Sequence, residues 1–293
     1  MKDRPALAGI LGAIVISFSA ILVDLADVAP VTATLWRQVY ALPVLAVLAW
    51  REGARRTWPE RRLSLIAGVI FAINLTLWHE AIDDVGAGLA TVLGNLQVVI
   101  VPFVALVLFG ERVPKAILYA LPAVCAGVLL VSGALEHGAY GANPARGALF
   151  GIACGFSYAT FILIQRHGLM DLSHPAGLLF DTSVFASITA VILALILGAD
   201  DVVPTWPSAG WLLVLALTSQ VLGWMLITVS LPRLPAAMTS MILTIQPIGS
   251  VLFGALLLSQ EPSGLQLCGC ALIVAGLLTV TAGARARRRP SPA

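Results

Sequence analysis

The chain has 293 residues, 59% of them hydrophobic and 11% charged, with a net charge of +2 and a mean hydropathy of +0.96. That composition excludes a soluble globular domain, and it leaves the few basic runs as membrane-topology and anionic-headgroup signals rather than nucleic-acid contacts. Crossing a hydrocarbon layer about 30 Å thick takes about 20 largely apolar residues in a helix, because only internally hydrogen-bonded backbone is tolerated there.

Charges, prolines and glycines divide the chain into ten such spans, near 7–23, 30–50, 64–82, 86–108, 114–133, 147–165, 175–197, 208–230, 235–258 and 263–282. The first follows Lys2 and Arg4; no small-residue cleavage site leads from it into a soluble domain, so it reads as a helix, not a signal peptide. It carries Ser17 and Ser19, and the second carries Arg37 about two turns from its outer end. In the third, Asn74 and Trp78 are spaced i, i+4 and share a face, with His79 and Glu80 next to them. The fourth holds Asn95 and Gln97, the sixth Ser157 and Tyr158, the seventh Asp181, the eighth Ser219, Gln220 and Trp224, and the ninth Gln246 followed by Pro247. Cys125, Cys154, Cys268 and Cys270 all fall in apolar runs, which argues against a disulfide framework or a zinc cluster. After the tenth span the stretch 283–293 is a basic tail.

Fifteen of the 17 basic residues fall on one side of this ten-span arrangement, Arg146 falls on the other and Arg37 lies within a span. The opposite side collects Asp24, Asp27, Asp83, Asp84, Glu136, Asp200, Asp201 and Glu261. The bias of Lys and Arg places both termini in the cytoplasm of a cell (inner) membrane.

Polar groups at membrane depth are costly and face a bundle interior or a wet cavity. Ser19, Asn74, Trp78, His79, Asn95, Gln97, Tyr158, Trp224 and Gln246 are therefore candidate cavity residues, with Arg37, Glu80 and Asp181 as ionisable or gating candidates. Each has a structural alternative. Serines can bond a preceding carbonyl, Trp78 can sit in an interfacial belt, amides can bond between helices, and His79 can be a hydrogen-bonded packing residue. For Arg37 an ion pair with Glu80, Asp83 or Asp84 is expected, and for Asp181 one with Arg166, Lys115 or a basic loop residue. The other readings of these two are contact with a substrate carboxylate and proton coupling.

The chain also repeats itself. Val85–Glu111 aligns without gaps with Pro235–Glu261 at an offset of 150, matching Gly86, Ala87 and Ala90 to Ala236, Ala237 and Ser240, and Glu111 to Glu261. In this register Asn74 meets Trp224 and Trp78 meets Thr228, an amide and an indole that suit a ligand with a polar head and an apolar or aromatic body. Five spans per copy invert the second copy in the membrane, giving an all-α polytopic protein of two inverted five-helix repeats, 1–133 and 147–282.

A small-residue-rich helix, the proline of Gln246-Pro247-Ile248 and a glutamate fourteen positions later resemble the EamA repeat of the drug/metabolite transporter superfamily. The first copy departs from that pattern, with Gln97 at the position of Pro247 and Pro102 five residues later, so symmetric helix breaks are not expected from it. In the ninth helix Pro247 should free the Leu243 carbonyl and turn the segment toward a cavity, or leave only a packing kink. The resemblance implies a secondary transporter that exports small metabolites by alternating access. Amino acids, aromatic ones included, are the first expectation, with drug, nucleoside or nucleotide-sugar substrates open, and a scaffold or an intramembrane enzyme as rival classes. No GxxxxGK[ST] loop is present to drive a nucleotide-fuelled pump. No cofactor or metal is expected. The partners are a small-molecule substrate and membrane lipid, for a monomer or homodimer.

Overall fold

The computed structural model describes residues 5–53, 56–110, 113, 115–168, 174–199, 202–230 and 242–286, and every regular element among them is helical. The first span is α1 (Pro5–Ser17) and α2 (Ser19–Ala26), and the second is α3 (Pro30–Arg51). The third and fourth are α4 (Trp58–Gly94) and α5 (Gln97–Phe109), and the fifth is α6 (Lys115–Val131). The sixth is α7 (Pro144–Gly168) and the seventh α8 (Pro175–Leu197). The eighth is α9 (Ser208–Leu215), a π-helix over Ala216–Gly223 and α10 (Trp224–Ser230), followed by α11 (Ile245–Leu257) and α12 (Gly264–Ala286). Ala236, Ala237 and Ser240 of the predicted ninth span, Glu111 and most of the basic tail lie outside the described residues. Among the described residues, six stretches are long and apolar enough to cross a membrane: Pro5–Ala26, Pro30–Arg51, Trp58–Gly94, Pro144–Ile164, Pro175–Leu197 and Ser208–Ser230. The remaining spans contribute shorter apolar helices. The chain is a multi-pass membrane protein.

Thr57 starts α4 with a capping box, its N–H donating to Glu60 Oε2 at 2.6 Å, and Pro59 occupies the first turn. A straight helix of 37 residues would run about 55 Å, far more than a bilayer core. The chain instead reverses at Gly86, which adopts φ +82° and ψ 164°. A Cβ on Gly94 would lie 3.7 Å from Trp78 Cδ1, so residues equidistant from Gly86 stand side by side and the two arms form an antiparallel hairpin. The predicted boundary between the third and fourth spans is this apex.

Small residues set how α7 meets the hairpin. A Cβ on Gly147 would meet Val85 at 2.5 Å, one on Gly151 would meet Leu93 at 2.5 Å, and one on Gly155 would meet Leu96 at 3.3 Å. Helix α7 therefore runs along the returning arm and against the rising one, where the Phe71 and Phe161 rings stack at 4.6 Å. The first span does the same in the other half. A Cβ on Gly9 would lie 3.1 Å from Ser230 Oγ and one on Gly12 would lie 3.0 Å from Ile227; Ser250 Oγ donates to the Ser17 carbonyl at 3.0 Å, and Phe18 stacks on Phe253 at 4.0 Å. Each half's first helix thus packs on the third and fourth helices of the other half.

The two arrangements point opposite ways. Gly86 touches Gln260, and Gln260 Nε2 reaches Asp24 Oδ1 at 3.5 Å, so these mark one end of the bundle, where α7 begins. Gly9, Ser230 and Ile242 mark the other end, where α1 begins. The remaining helices pair like with like: α3 with α8, and α6 with α12. Gly127 and Gly269 bring the latter two backbones together, since a Cβ on either would lie 2.6 Å from the other's carbonyl oxygen.

An ion pair marks each end of the bundle. At the Gly86 end Arg146 forms a two-pronged pair with Asp84, both bonds 2.7 Å. At the other end Arg56 pairs with Asp181 at 3.2 Å, the basic loop partner expected for that carboxylate, and burial pulls the Arg56 guanidinium below its ordinary pKa while Asp181 opposes the shift. Beside it the Glu52 carboxylate accepts from the N–H groups of Ala176 and Gly177, at 3.0 and 3.2 Å, which caps the start of α8 with a negative charge. Glu52→Ala removes that cap and is expected to destabilise by about 1 kcal/mol, read as a lowered thermal midpoint in detergent.

Candidate functional site

Three helix interruptions meet at mid-depth. The first span breaks at Phe18, the fourth at Asn95 and Leu96, and the ninth at Thr244. At the offset of 150, Gly94 corresponds to Thr244, so the fourth and ninth spans break at equivalent depth, which the unequal placement of their prolines did not suggest. The first copy makes its break without proline: Asn95 Nδ2 bends back to the Thr91 carbonyl at 2.9 Å and closes the end of α4. In the second copy Pro247 is the third residue of α11, where first-turn N–H groups have no intrahelical partner in any case. The expected interior kink is therefore a helix start.

Around these breaks lies a partly open cavity. Of the predicted residues, Ser19, Arg37, Asn74, Trp78, Asn95, Tyr158, Trp224 and Gln246 line it, joined by Ile16, Phe71, Leu75, Thr91, Gly94 and Cys154. Both halves contribute. One wall is aromatic: Trp224 stands edge-on to Phe71 at 5.5 Å, to Phe161 at 5.9 Å and to Tyr158 at 6.3 Å.

Arg37 is 2% exposed. Its Nε–H donates to Gln220 Oε1 at 3.1 Å, an Nη1–H donates to Ser19 Oγ at 3.2 Å, and the guanidinium carbon lies 5.9 Å from the Trp78 ring centroid. The expected ion pair with Glu80, Asp83 or Asp84 is not formed, and no carboxylate among the described residues pairs with Arg37. The reason is depth and direction. Arg37 lies level with Trp78, and Asp84 is about 9 Å further along the helix and already held by Arg146. Glu80 follows Trp78 by two residues, which turns it to the far side of the helix. Gln220 reaches Arg37 from the π-helix, whose extra residue per turn re-aims the side chains around it. Gln220 Nε2 in turn donates to Ser183 Oγ at 3.4 Å.

Asn74 is held firmly, its Nδ2 donating to the Cys154 carbonyl at 2.9 Å and reaching Ser157 Oγ at 3.2 Å. Cys154, which the sequence gives no reason to distinguish from the other cysteines, is a lining residue because Asn74 fixes α7 at this height. Asn95 Oδ1 is buried in the lining and has no hydrogen-bond partner among the described residues. Four predicted residues lie elsewhere. His79 is fully buried, with Nδ1 2.9 Å from Thr34 Oγ1 and 3.0 Å from the Pro30 carbonyl, a packing histidine between α3 and α4. Gln97 is buried at the start of α5 beside Gly155. Glu80 is half-buried away from the cavity, and Asp181 belongs to the Arg56 pair at the bundle end.

Comparison with known proteins agrees with this arrangement. The sequence pattern of the EamA-like transporter family matches residues 4–133 and again 145–282. The pseudopaline exporter CntI of Pseudomonas aeruginosa, in strains UCBPP-PA14 and ATCC 15692, is 26% identical over 219 residues, 74% of this chain and 74% of that protein. A solved crystal structure covers 99% of this chain and 100% of its own at 19% identity with a TM-score of 0.65, a likeness of fold alone.

Proposed function

Because this chain belongs to the EamA-like transporter family, we propose that it is a secondary transporter that exports small amphipathic metabolites across the cell inner membrane by alternating access. The observation that carries this reading is the mid-depth cavity built from both halves, where helix breaks, amides and an arginine face an aromatic wall. Helix ends are tolerated inside a membrane where they line such a cavity. Two halves that each lend their first helix to the other can rock about that interface, opening the cavity to one end or the other. The Lys and Arg bias puts the Gly9 and Ser230 end, with both termini, in the cytoplasm. The halves are the repeats 1–133 and 147–282, with a basic tail after them. Export follows the family and its relative, which is named as an exporter.

Amino acids, aromatic ones included, are the substrate class we favour. Trp78, Tyr158, Trp224 and Phe71 offer ring faces, while Asn74, Asn95 and Gln246 offer amides for a polar head. A panel of amino acids, nucleosides and nucleotide sugars assayed in proteoliposomes tests it. Saturable amino-acid flux supports the reading, and robust flux of another class with none of amino acids replaces the substrate assignment.

A further inference from the structure

We infer that the transported compound carries a carboxylate that docks on Arg37, and this inference rests on the reading of the cavity as the substrate site. Arg37 is a buried cation at membrane depth whose hydrogen-bond partners among the described residues, Ser19 and Gln220, are both neutral. A charge removed from water is normally paired, and leaving it without a counter-charge is costly. The carboxylates expected to meet it are occupied or elsewhere: Asp84 is taken by Arg146, Glu80 does not line the cavity, and Asp83 lines a separate pocket at the Gly86 end. Arg37 itself does line it, so the place where a counter-charge can arrive is the cavity. A guanidinium presents a planar fork of donors that matches a carboxylate, and its charge cannot be lost by deprotonation. One carboxylate cancels the single charge, whereas a phosphate monoester would exceed it.

A second unsatisfied group belongs to the same lining. Asn95 Oδ1, on a residue 4% exposed, accepts nothing from the described residues, while its Nδ2 is committed to Thr91. A ligand donor such as an amino or hydroxyl group would satisfy it. Arg37 and Asn95 thus specify an acceptor anion and a donor on one compound, with Trp78 and Trp224 bounding the apolar part. Within the substrate class favoured above, this predicts that the carboxylate is obligatory and the ammonium group less so.

The test compares phenylalanine and 3-phenylpropanoate with phenylalaninamide and phenethylamine, followed by a wider panel of carboxylic acids paired with their primary amides. Each compound is scored by thermal stabilisation of the purified protein and by flux in proteoliposomes. The acids are expected to bind at least tenfold more tightly than their amides, Arg37→Gln to erase that preference, and Arg37→Lys to keep part of it. Comparison of acids with amides on the unaltered protein stands even where an Arg37 variant folds poorly. Amides or amines that bind as well as the acids, or an acid preference that survives in folded Arg37→Gln, would overturn the carboxylate assignment while leaving the transporter reading in place. A folded protein that neither binds nor moves any member of this panel would also overturn the carboxylate assignment, and only the absence of flux for nucleosides and nucleotide sugars as well would contradict the transporter reading.

Discussion

Gly86→Val should remove most of the folded protein. Gly86 holds φ +82°, a conformation that a β-branched residue adopts only with strain of about 1–3 kcal/mol. A Cβ there would also lie 2.9 Å from Tyr140 Cε1 and 3.0 Å from Gln260 Oε1, and overpacking of this kind costs about 1–3 kcal/mol more. The combined loss of about 2–6 kcal/mol falls on the apex where the third and fourth spans reverse, the point against which α7 begins. Gly110 provides the contrast: its φ is +67°, but a Cβ there meets nothing within 4 Å. Gly110→Ala is expected to cost only the backbone term of about 1 kcal/mol. Size-exclusion profiles and thermal midpoints in detergent separate the two variants. Equal behaviour would mean that the hairpin does not depend on its apex.

Gln246→Ala should lower flux about two- to tenfold while the amount of folded protein stays near that of the parent. Gln246 sits at the broken start of α11 and lines the cavity, so truncating it removes a ligand contact of about 0.5–1.5 kcal/mol, or more against a charged group. Gln97 is the informative control, because the sequence nominates both glutamines on the same grounds. Gln97 does not line the cavity, so Gln97→Ala should leave flux within about twofold even where its burial lowers stability. Should Gln97→Ala abolish flux and Gln246→Ala spare it, the cavity would not be the site where substrate is held.

The architecture was readable because membrane physics writes itself into sequence directly. Span length, the one-sided distribution of basic residues and a repeat at an offset of 150 each follow from a bilayer and an odd number of crossings. Mid-depth polarity likewise led to Ser19, Asn74, Asn95 and Gln246. What could not be read was the partner of each polar group. Arg37 finds Gln220, 183 positions away, through a π-helix that leaves no mark in the hydrophobic pattern. The carboxylates nearest to Arg37 in a helical count are separated from it by depth and by rotation about the helix, which linear spacing does not encode. The break at Asn95 was missed for a related reason. Proline announces a break, whereas an asparagine that bends back on its own helix looks like any buried amide.

The most direct measurement is flux of small amphipathic metabolites by the purified protein in proteoliposomes, run side by side with Trp224→Ala and Gln246→Ala. Alternating access through the shared cavity predicts saturable flux of at least one compound, accelerated when the same compound is present on the opposite side, and impaired in both variants although each remains folded. Flux that never saturates, or saturable flux that both folded variants carry at the parent rate, would contradict it.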